Sequence, residues 1–217
     1  MAANDLVLAI TGASGAPYAG RLLEVLLAAG RTIHVTISPA AQQVFATELG
    51  RPLDLVHFDP RSLLPSDANV PTDGVRYHHF MNFQAGIASG SFLTGGMVVC
   101  PCSMGTVAAI AHGMSQNLIH RAADVHLKER RKLILVPRET PLGLVQLRNL
   151  TACAEAGAIV LPAMPAFYTL PRTLGDMVDF IVGRICDQLG VPHGLLRRWG
   201  TEPEPARDAP PLAPDAD

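Results

Sequence analysis

Short apolar segments alternate with helix-like stretches along most of the chain, and this alternation constrains the fold more than any other feature. Five segments are predicted as buried strands, at residues 6–10, 32–37, 97–100, 133–136 and 159–161. Helical patterns run to about residue 29, begin at Ser38-Pro39, follow Thr106, and cover residues 118–128, about 142–156, and 174–189. Strands this short, separated by helices, predict an α/β fold with a parallel sheet covered on both faces.

The length and composition indicate one folded domain followed by a tail. The chain has 217 residues, of which 48% are hydrophobic, enough to bury a sizeable core. Residues 201–217 contain five acidic residues and five prolines, so we expect a disordered tail there and a domain over residues 1–200. Residues 50–85 are irregular, and no element is predicted within them.

Charge and cysteine usage exclude several classes of protein. The net charge of −2, which becomes +2 without the tail, gives no basic excess for binding nucleic acid. No apolar run reaches about 18 residues, so no membrane span is expected, and the N-terminus lacks the pattern of a signal peptide. The four cysteines do not have zinc-ligand spacing, which favours reduced thiols and a cytoplasmic location.

Two turns of small and hydroxyl residues follow predicted strands and lead into helices. They are Thr11–Gly15 and Ser103–Thr106. The carboxyl ends of parallel strands bind ligands, and free N–H groups at the start of a helix favour an anion. The first turn matches neither G-x-G-x-x-G nor the P-loop, so alone it is equally consistent with a tight strand–helix turn. Two such turns in one sheet favour a phosphorylated cofactor.

Several cations could bind a second anion. Arg138 directly follows a strand, and Arg121 and Lys128 lie seven residues apart on one face of a helix. Arg184 interrupts an apolar helical stretch, where a snorkelling arginine or an interface ion pair is the alternative. Glu139 is a candidate acid or base, with a structural ion pair as its alternative. The histidines show no metal-binding pattern, and Ser14 is not in a nucleophile elbow.

Six motifs, in order from about Leu6 to Trp199, resemble the UbiX flavin prenyltransferases, formerly described as aromatic-acid decarboxylases. A single one of these motifs would be weak evidence, whereas six in register are highly specific. The matching segments are 11–15 (TGASG), 101–103 (PCS), 121–125 (RAADV), 127–131 (LKERR), 138–141 (RETP) and 165–168 (PAFY).

The resemblance implies a Rossmann-like or flavodoxin-like subunit, usually in a homododecamer, that binds FMN between subunits. It implies transfer of a dimethylallyl group from dimethylallyl monophosphate to N5 and C6 of reduced FMN, without a metal. The product, prenylated FMN, would serve a UbiD-type decarboxylase, in ubiquinone biosynthesis or in aromatic-acid metabolism. The donor could also be the diphosphate.

The resemblance also implies roles for individual residues. Proton handling during ring closure is expected from Ser14, Glu48 and Glu139, and catalytic stabilisation of the leaving phosphate from Arg121 and Lys128. FMN contacts are expected from Gly12, Ala13, Ser14, Ser38, Ser103, Met104, Gly105, Thr106 and Arg138. Contacts with the dimethylallyl phosphate are expected from Arg121, Lys128, Arg138, Glu139, Tyr168 and Arg184, several of them contributed by neighbouring subunits.

Two positions depart from the family pattern. Phe83 stands where some members carry Trp, which weakens the cation–π partner for an allyl cation, and Trp199 is the sole indole of the chain. Pro39 follows Ser38 where members often have Lys. A helix start is expected there, with the loss of one positive charge near the FMN phosphate.

Two alternatives stay open at this point. An FMN-dependent cysteine-conjugate decarboxylase of the phosphopantothenoylcysteine type would need a catalytic His and a P-x-M-N-x-x-M segment. Met81-Asn82 lacks both the proline and the second Met. A non-catalytic flavin carrier would need only the phosphate-binding turns and would not require the four charged residues Arg121, Lys128, Glu139 and Arg184.

Overall fold

A computed structural model describes residues 4–196 of the chain. Its strands are β1 (Asp5–Ile10), β2 (Thr32–Ile37), β3 (Val75–Tyr77), β4 (Gly96–Cys102), β5 (Leu133–Pro137) and β6 (Ile159–Val160). Its helices are α1 (Ala16–Ala28), α2 (Pro39–Leu49), α3 (Met104–Ala111), α4 (Leu118–Lys128), α5 (Leu144–Glu155) and α6 (Leu174–Leu189). The predicted fold class is confirmed, and each of the five predicted strands lies in the sheet.

The six strands are all parallel and lie in the order β3-β2-β1-β4-β5-β6. The chain builds outward from β1 to β3 and then returns to the other side of β1 to begin β4. The strand order therefore reverses between β1 and β4, and a crevice forms beyond the carboxyl ends of these two strands. This switch point is where a doubly wound sheet binds its ligand.

Helices cover both faces of the sheet. Alternate residues of β1 face opposite cores: Leu6 and Leu8 pack with α1, α2 and α6, whereas Val7 and Ala9 pack with α3, α4 and α5. Burial on both faces explains why the central strands are continuous apolar runs rather than alternating patterns. The tail predicted at residues 201–217 lies outside the described residues.

β3 is the strand that the sequence did not predict. It has three residues, lies at the edge of the sheet and exposes Arg76, so its apolar signal is short and interrupted. Tyr77 is held by stacking on Phe58, with ring centroids 4.2 Å apart, and by donating a hydrogen bond to the carbonyl of Leu55. Contacts across the preceding irregular segment therefore stabilise this edge.

Candidate functional site

Thr11 joins the two loops that border the switch point through hydrogen bonds. Its hydroxyl donates to the carbonyl oxygen of Pro101 at 2.9 Å and accepts from the backbone N–H of Ser103 at 2.8 Å. Its own N–H donates to the same carbonyl at 3.2 Å. Because the side chain is buried, these bonds fix the start of the Thr11–Gly15 turn against the end of β4.

Two glycines give the first turn its shape. A Cβ on Gly12 would lie 2.5 Å from the Cβ of Ala40, so only glycine lets the turn approach the first turn of α2 this closely. Gly15 has a φ of +129° at the start of α1, a conformation that side-chain-bearing residues rarely adopt. The Gly12 backbone stays exposed, with Ala13 buried and Ser14 half-buried beside it.

Two helix N-termini at this edge of the sheet are capped by serines. The Ser38 hydroxyl accepts from the N–H of Ala41 in α2, and the Ser103 hydroxyl accepts from the N–H of Thr106 in α3, both at 3.3 Å. This confirms the helix start predicted at Ser38-Pro39. A Cβ on Gly105 would meet no atom within 4 Å, so the first turn of α3 has open space around it.

These observations fit a phosphorylated ligand. The remaining first-turn N–H groups of α2 and α3, with the positive ends of the helix dipoles, favour a phosphate. Glycine has no side chain and serine has a small one, which leaves room for the ligand to approach the backbone. Gly12, Ala13, Ser38, Gly105 and Thr106, which the resemblance assigns to FMN, are the residues that could hold its phosphate.

Glu48 closes the third helix N-terminus at this edge. From the last turn of α2 its carboxylate accepts from the N–H of Ala16 at 2.8 Å and from the N–H of Gly15 at 3.0 and 3.2 Å. It therefore caps α1 with a negative charge, although α1 has no capping side chain of its own. The start of α1 already holds an anion and is not the phosphate site.

Tyr18, in the first turn of α1, is a residue that the sequence analysis missed. Its ring packs against Gly15, where an added Cβ would lie 2.9 Å from it. Burial raises the pKa of the Tyr18 phenol, the thiol of Cys100 raises it further, the positive charge of Arg138 lowers it, and Glu48 raises it. Tyr18 is thus within electrostatic reach of two predicted site residues. Tyr18 lies in the first turn of the helix that follows Gly15, and this position was the sequence signal that could have identified it.

Arg138 and Glu139 follow β5 directly, as predicted, and both are exposed. The Glu139 carboxylate accepts from the N–H of Thr140 at 3.1 Å. Among residues 4–196 no ion pair joins it to Arg138 or to another cation, so the structural alternative for Glu139 lacks support. The carboxylate and the guanidinium are both available to a ligand beyond the sheet.

Arg121 and Lys128 both lie against the backbone of residues 88–90. Arg121 donates through Nε to the carbonyl of Ala88 at 3.0 Å and pairs with Asp124 at 2.7 Å. Gly90 approaches α4 so closely that an added Cβ would lie 3.1 Å from the Lys128 ammonium group. The prediction that the two cations share one helix face agrees with this common neighbour.

Within one chain, however, Lys128 is not at the switch point. α4 ends at Lys128, and the nearby carbonyl of Lys132 accepts from the N–H of Met97 at the start of β4. Lys128 therefore lies toward the amino edge of the sheet, and Arg138 lies beyond its carboxyl edge. The five residues of β5 between them span roughly 16 Å.

Tyr168 and Arg184 lie with the other helical layer. The Tyr168 ring makes an edge contact with Phe180 of α6 at a centroid distance of 6.1 Å. Arg184 is exposed on α6 and pairs with Asp187, one turn further along the same helix, at 3.2 Å. Tyr168 and Arg184 thus lie on the opposite face of the sheet from Arg121 and Lys128.

The remaining predictions concern Phe83, Trp199 and the absence of metal and membrane signals. Phe83 is exposed, and Trp199 lies outside the described residues. Between residues 4 and 196 no group of three or more His, Cys, Asp or Glu is arranged to hold a metal ion. In the same range no helix has the length and apolarity to cross a bilayer.

Comparison with known proteins places this site in a family. The model of the Flavoprotein family matches residues 1–186, which include the switch point and every predicted site residue. The fold and the phosphate-binding turns thus define a flavin-nucleotide-binding α/β protein.

Curated relatives narrow the assignment. The flavin prenyltransferase UbiX of Halalkalibacterium halodurans is 46% identical over 89% of this chain and 92% of its own length. That of Pseudomonas aeruginosa is 45% identical over 91% of this chain and 94% of its own length. The chain belongs to the flavoprotein family and, within it, to the UbiX flavin prenyltransferases.

Solved structures agree with this assignment. AnUbiX (PadA1), crystallised with FMN and dimethylallyl pyrophosphate, is 36% identical with a TM-score of 0.78 over 92% of this chain and 98% of its own. A dodecameric FMN-dependent UbiX-like decarboxylase from Escherichia coli O157:H7 is 40% identical with a TM-score of 0.78, over 90% and 98%. A phosphopantothenoylcysteine (PPC) decarboxylase is 17% identical with a TM-score of 0.55, a likeness of fold alone.

Proposed function

We propose that this protein transfers a dimethylallyl group from dimethylallyl monophosphate to N5 and C6 of reduced FMN. Inorganic phosphate is released, and prenylated FMN passes to a UbiD-type decarboxylase. The observation that carries the proposal is the combination of a phosphate cradle at the switch point with exposed cations that the cradle does not use. Curated relatives at about 45% identity bear the name flavin prenyltransferase.

The reaction needs a site that stabilises a leaving phosphate. Breaking the bond between C1 of the dimethylallyl group and its oxygen moves an electron pair onto the phosphate and leaves positive charge on the allyl group. Fixed cations aimed at the leaving group are the largest catalytic contribution to expect. Arg121, Lys128, Arg138 and Arg184 are proposed for that role, with Tyr168 as a hydrogen-bond donor.

Reduced FMN supplies the nucleophilic N5 and C6 when bound. Forming the second bond at C6 requires a proton to be delivered to the alkene of the dimethylallyl group and a proton to be removed from C6, and positioned carboxyl groups can donate the first and accept the second. Glu139 lies at the exposed carboxyl end of β5, and Glu48 is fixed by two backbone N–H groups next to Ser14. We assign proton handling to Glu48, Glu139 and Ser14, and FMN contact to the Thr11–Gly15 turn, Ser38, residues 103–106 and Arg138.

We infer that more than one chain contributes to each site, because Lys128 lies toward the amino edge of the sheet whereas Arg138 and Glu139 lie beyond its carboxyl edge. One chain would supply the FMN cradle with Arg138 and Glu139. Neighbouring copies would supply Arg121, Lys128, Tyr168 and Arg184. The UbiX-like protein of E. coli O157:H7 is dodecameric, which supports a homododecamer here. We place the protein in the cytoplasm, where its four buried, free cysteines would stay reduced.

Phosphate release discriminates between the candidate functions. The purified oligomer would be incubated without oxygen, with EDTA, with and without reduced FMN, and with dimethylallyl monophosphate or diphosphate. We expect inorganic phosphate from the monophosphate, at one equivalent per modified flavin and only with reduced FMN. If neither donor releases its phosphate or diphosphate group, the proposal is contradicted. Decarboxylation of a cysteine conjugate would support the decarboxylase alternative.

A further inference from the structure

His34 is a buried histidine that the proposed chemistry does not use. It lies on β2, with only 7% of its surface exposed, and is linked on both sides. Its Nε2 is 3.1 Å from a carboxylate oxygen of Asp5, and its Nδ1 is 2.8 Å from Nε2 of His78. The edge of Phe92 packs against its ring at a centroid distance of 5.1 Å.

Hydrogen-bond chemistry orders the donors in this chain of three residues. A carboxylate can only accept, so Nε2 of His34 carries the proton that bonds to Asp5. In the neutral ring Nδ1 must then accept, and the donor is the N–H at Nε2 of His78. Burial lowers the pKa of His78, and the neighbouring His34 lowers it further, so the neutral form is the one favoured in this bond.

Two of the three partners of His34, His78 and Phe92, lie at the two ends of one segment. His78 directly follows β3, Phe92 precedes β4, and residues 79–91 between them contain one 3-10 turn, Gly86–Ala88, and no strand or α-helix. One side chain of β2, the strand next to the edge strand β3, thus contacts both flanks of this segment. We call it the 79–91 segment below.

This segment is the surface on which Arg121 and Lys128 rest. Ala88 supplies the carbonyl that accepts from Nε of Arg121, and Gly90 packs against the ends of Lys128 and Glu129. The carbonyl of Phe80 also accepts from the N–H of Leu118, at the start of α4, at 2.7 Å. Displacing the segment would therefore displace both cations.

We propose that His34, oriented by Asp5 and bonded to His78, is a positioning residue for the dimethylallyl phosphate. It acts through the 79–91 segment, which sets the guanidinium of Arg121 and the ammonium of Lys128. The identity of the substrate in this assignment rests on the proposed function. The contacts that link His34 to the 79–91 segment do not depend on it.

The test compares two variants of His78, which lies outside the proposed catalytic and binding groups. His78→Phe keeps a ring of similar size but removes the donor, so Nδ1 of His34 is left buried without a partner. His78→Gln keeps an N–H donor. We expect His78→Phe to raise the KM for dimethylallyl monophosphate about tenfold, with FMN affinity within about twofold of wild type, and His78→Gln to restore the KM.

A second measurement needs no substrate. Hydrogen exchange in the full-length oligomer should become about tenfold faster in the 79–91 segment of His78→Phe and stay unchanged in α1. Unchanged exchange in the segment, or equal KM values in both variants and wild type, would overturn the inference. Failure of wild type to transfer a prenyl group would instead overturn the proposed function, and the exchange result would still decide whether His34 holds the segment.

Discussion

At the residue scale, the site combines side chains whose roles are local with others whose roles depend on distant contacts. Ser38 and Ser103 could be predicted as helix caps because each precedes a helical pattern, and the structure has both bonds. Glu48 could be named from the family resemblance, but its bonds to Gly15 and Ala16 join α2 to α1. The link between His34 and His78 spans 44 residues, so no local pattern predicts it.

Glu48→Gln separates the charge of this residue from its hydrogen-bonding capacity. The amide keeps one acceptor oxygen for the start of α1 but loses the negative charge that the helix dipole favours. We expect the free energy of unfolding to fall by about 1 kcal/mol. Prenyl transfer should slow by about 10²-fold, the scale of one general acid–base contribution.

The measurements are urea denaturation and the initial rate of flavin modification. Glu155→Gln, an exposed carboxylate at the end of α5, is the matched control and should change neither. A Glu48→Gln variant with wild-type rate would remove Glu48 from proton handling and leave it as a helix cap.

At the scale of elements, apolar periodicity was sufficient for most of the sheet. β1, β4 and β5 are apolar runs buried on both faces, and in β2 the apolar residues alternate with Thr32, His34 and Thr36. β3 was not visible in the sequence, because its three residues pair with one neighbour only and owe their position to Phe58 and to residues 33–35 of β2. The position of α4 relative to the flavin site likewise depends on sheet order, which spacing along the helix does not encode.

His126 ties α4 to the residues before β4 and makes stability depend on pH. Its Nδ1 bonds to the carbonyl of Ala122 at 2.7 Å and its Nε2 to the hydroxyl of Thr94 at 2.8 Å. Burial lowers the pKa of His126 to about 4; the bond to Ala122 opposes this and the charge of Arg131 adds to it. In the unfolded chain the group titrates near 6.5.

Because the folded state keeps His126 neutral, its stabilising contribution is complete above pH 6.5 and is lost as pH falls toward 4. Between pH 7.5 and 5.0 we expect wild type to lose about 2 kcal/mol more than His126→Gln does. Urea denaturation of both proteins at the two pH values measures this difference. Equal losses would show that His126 is not neutral in the folded state.

At the scale of the whole molecule, we propose that the site is complete only when chains associate. Lys128 lies toward one edge of the sheet and Arg138 beyond the other. Large apolar side chains are also exposed beside the site elements, as expected for surfaces that other subunits cover. Among them are Leu144, Val145, Leu147, Met164, Phe167, Leu170 and Leu174.

Mixed oligomers test whether one site draws on two chains. Arg121→Gln and Glu139→Gln should each be nearly inactive alone. Oligomers reassembled from both variants should regain activity, because some sites then combine an intact Arg121 from one chain with an intact Glu139 from another. Arg130→Gln, an exposed neighbour of α4, is the control and should keep full activity alone. Mixtures no more active than either variant would place both residues in a site within one chain.

The mass of the flavin after reaction tests the central claim most directly. The purified oligomer would be incubated without oxygen or metal with reduced FMN and dimethylallyl monophosphate, and the released flavin would be measured by mass spectrometry. The account predicts a flavin heavier by one C5H8 unit. Unmodified FMN that nevertheless co-purifies with the protein would contradict prenyl transfer and leave a flavin carrier or a decarboxylase.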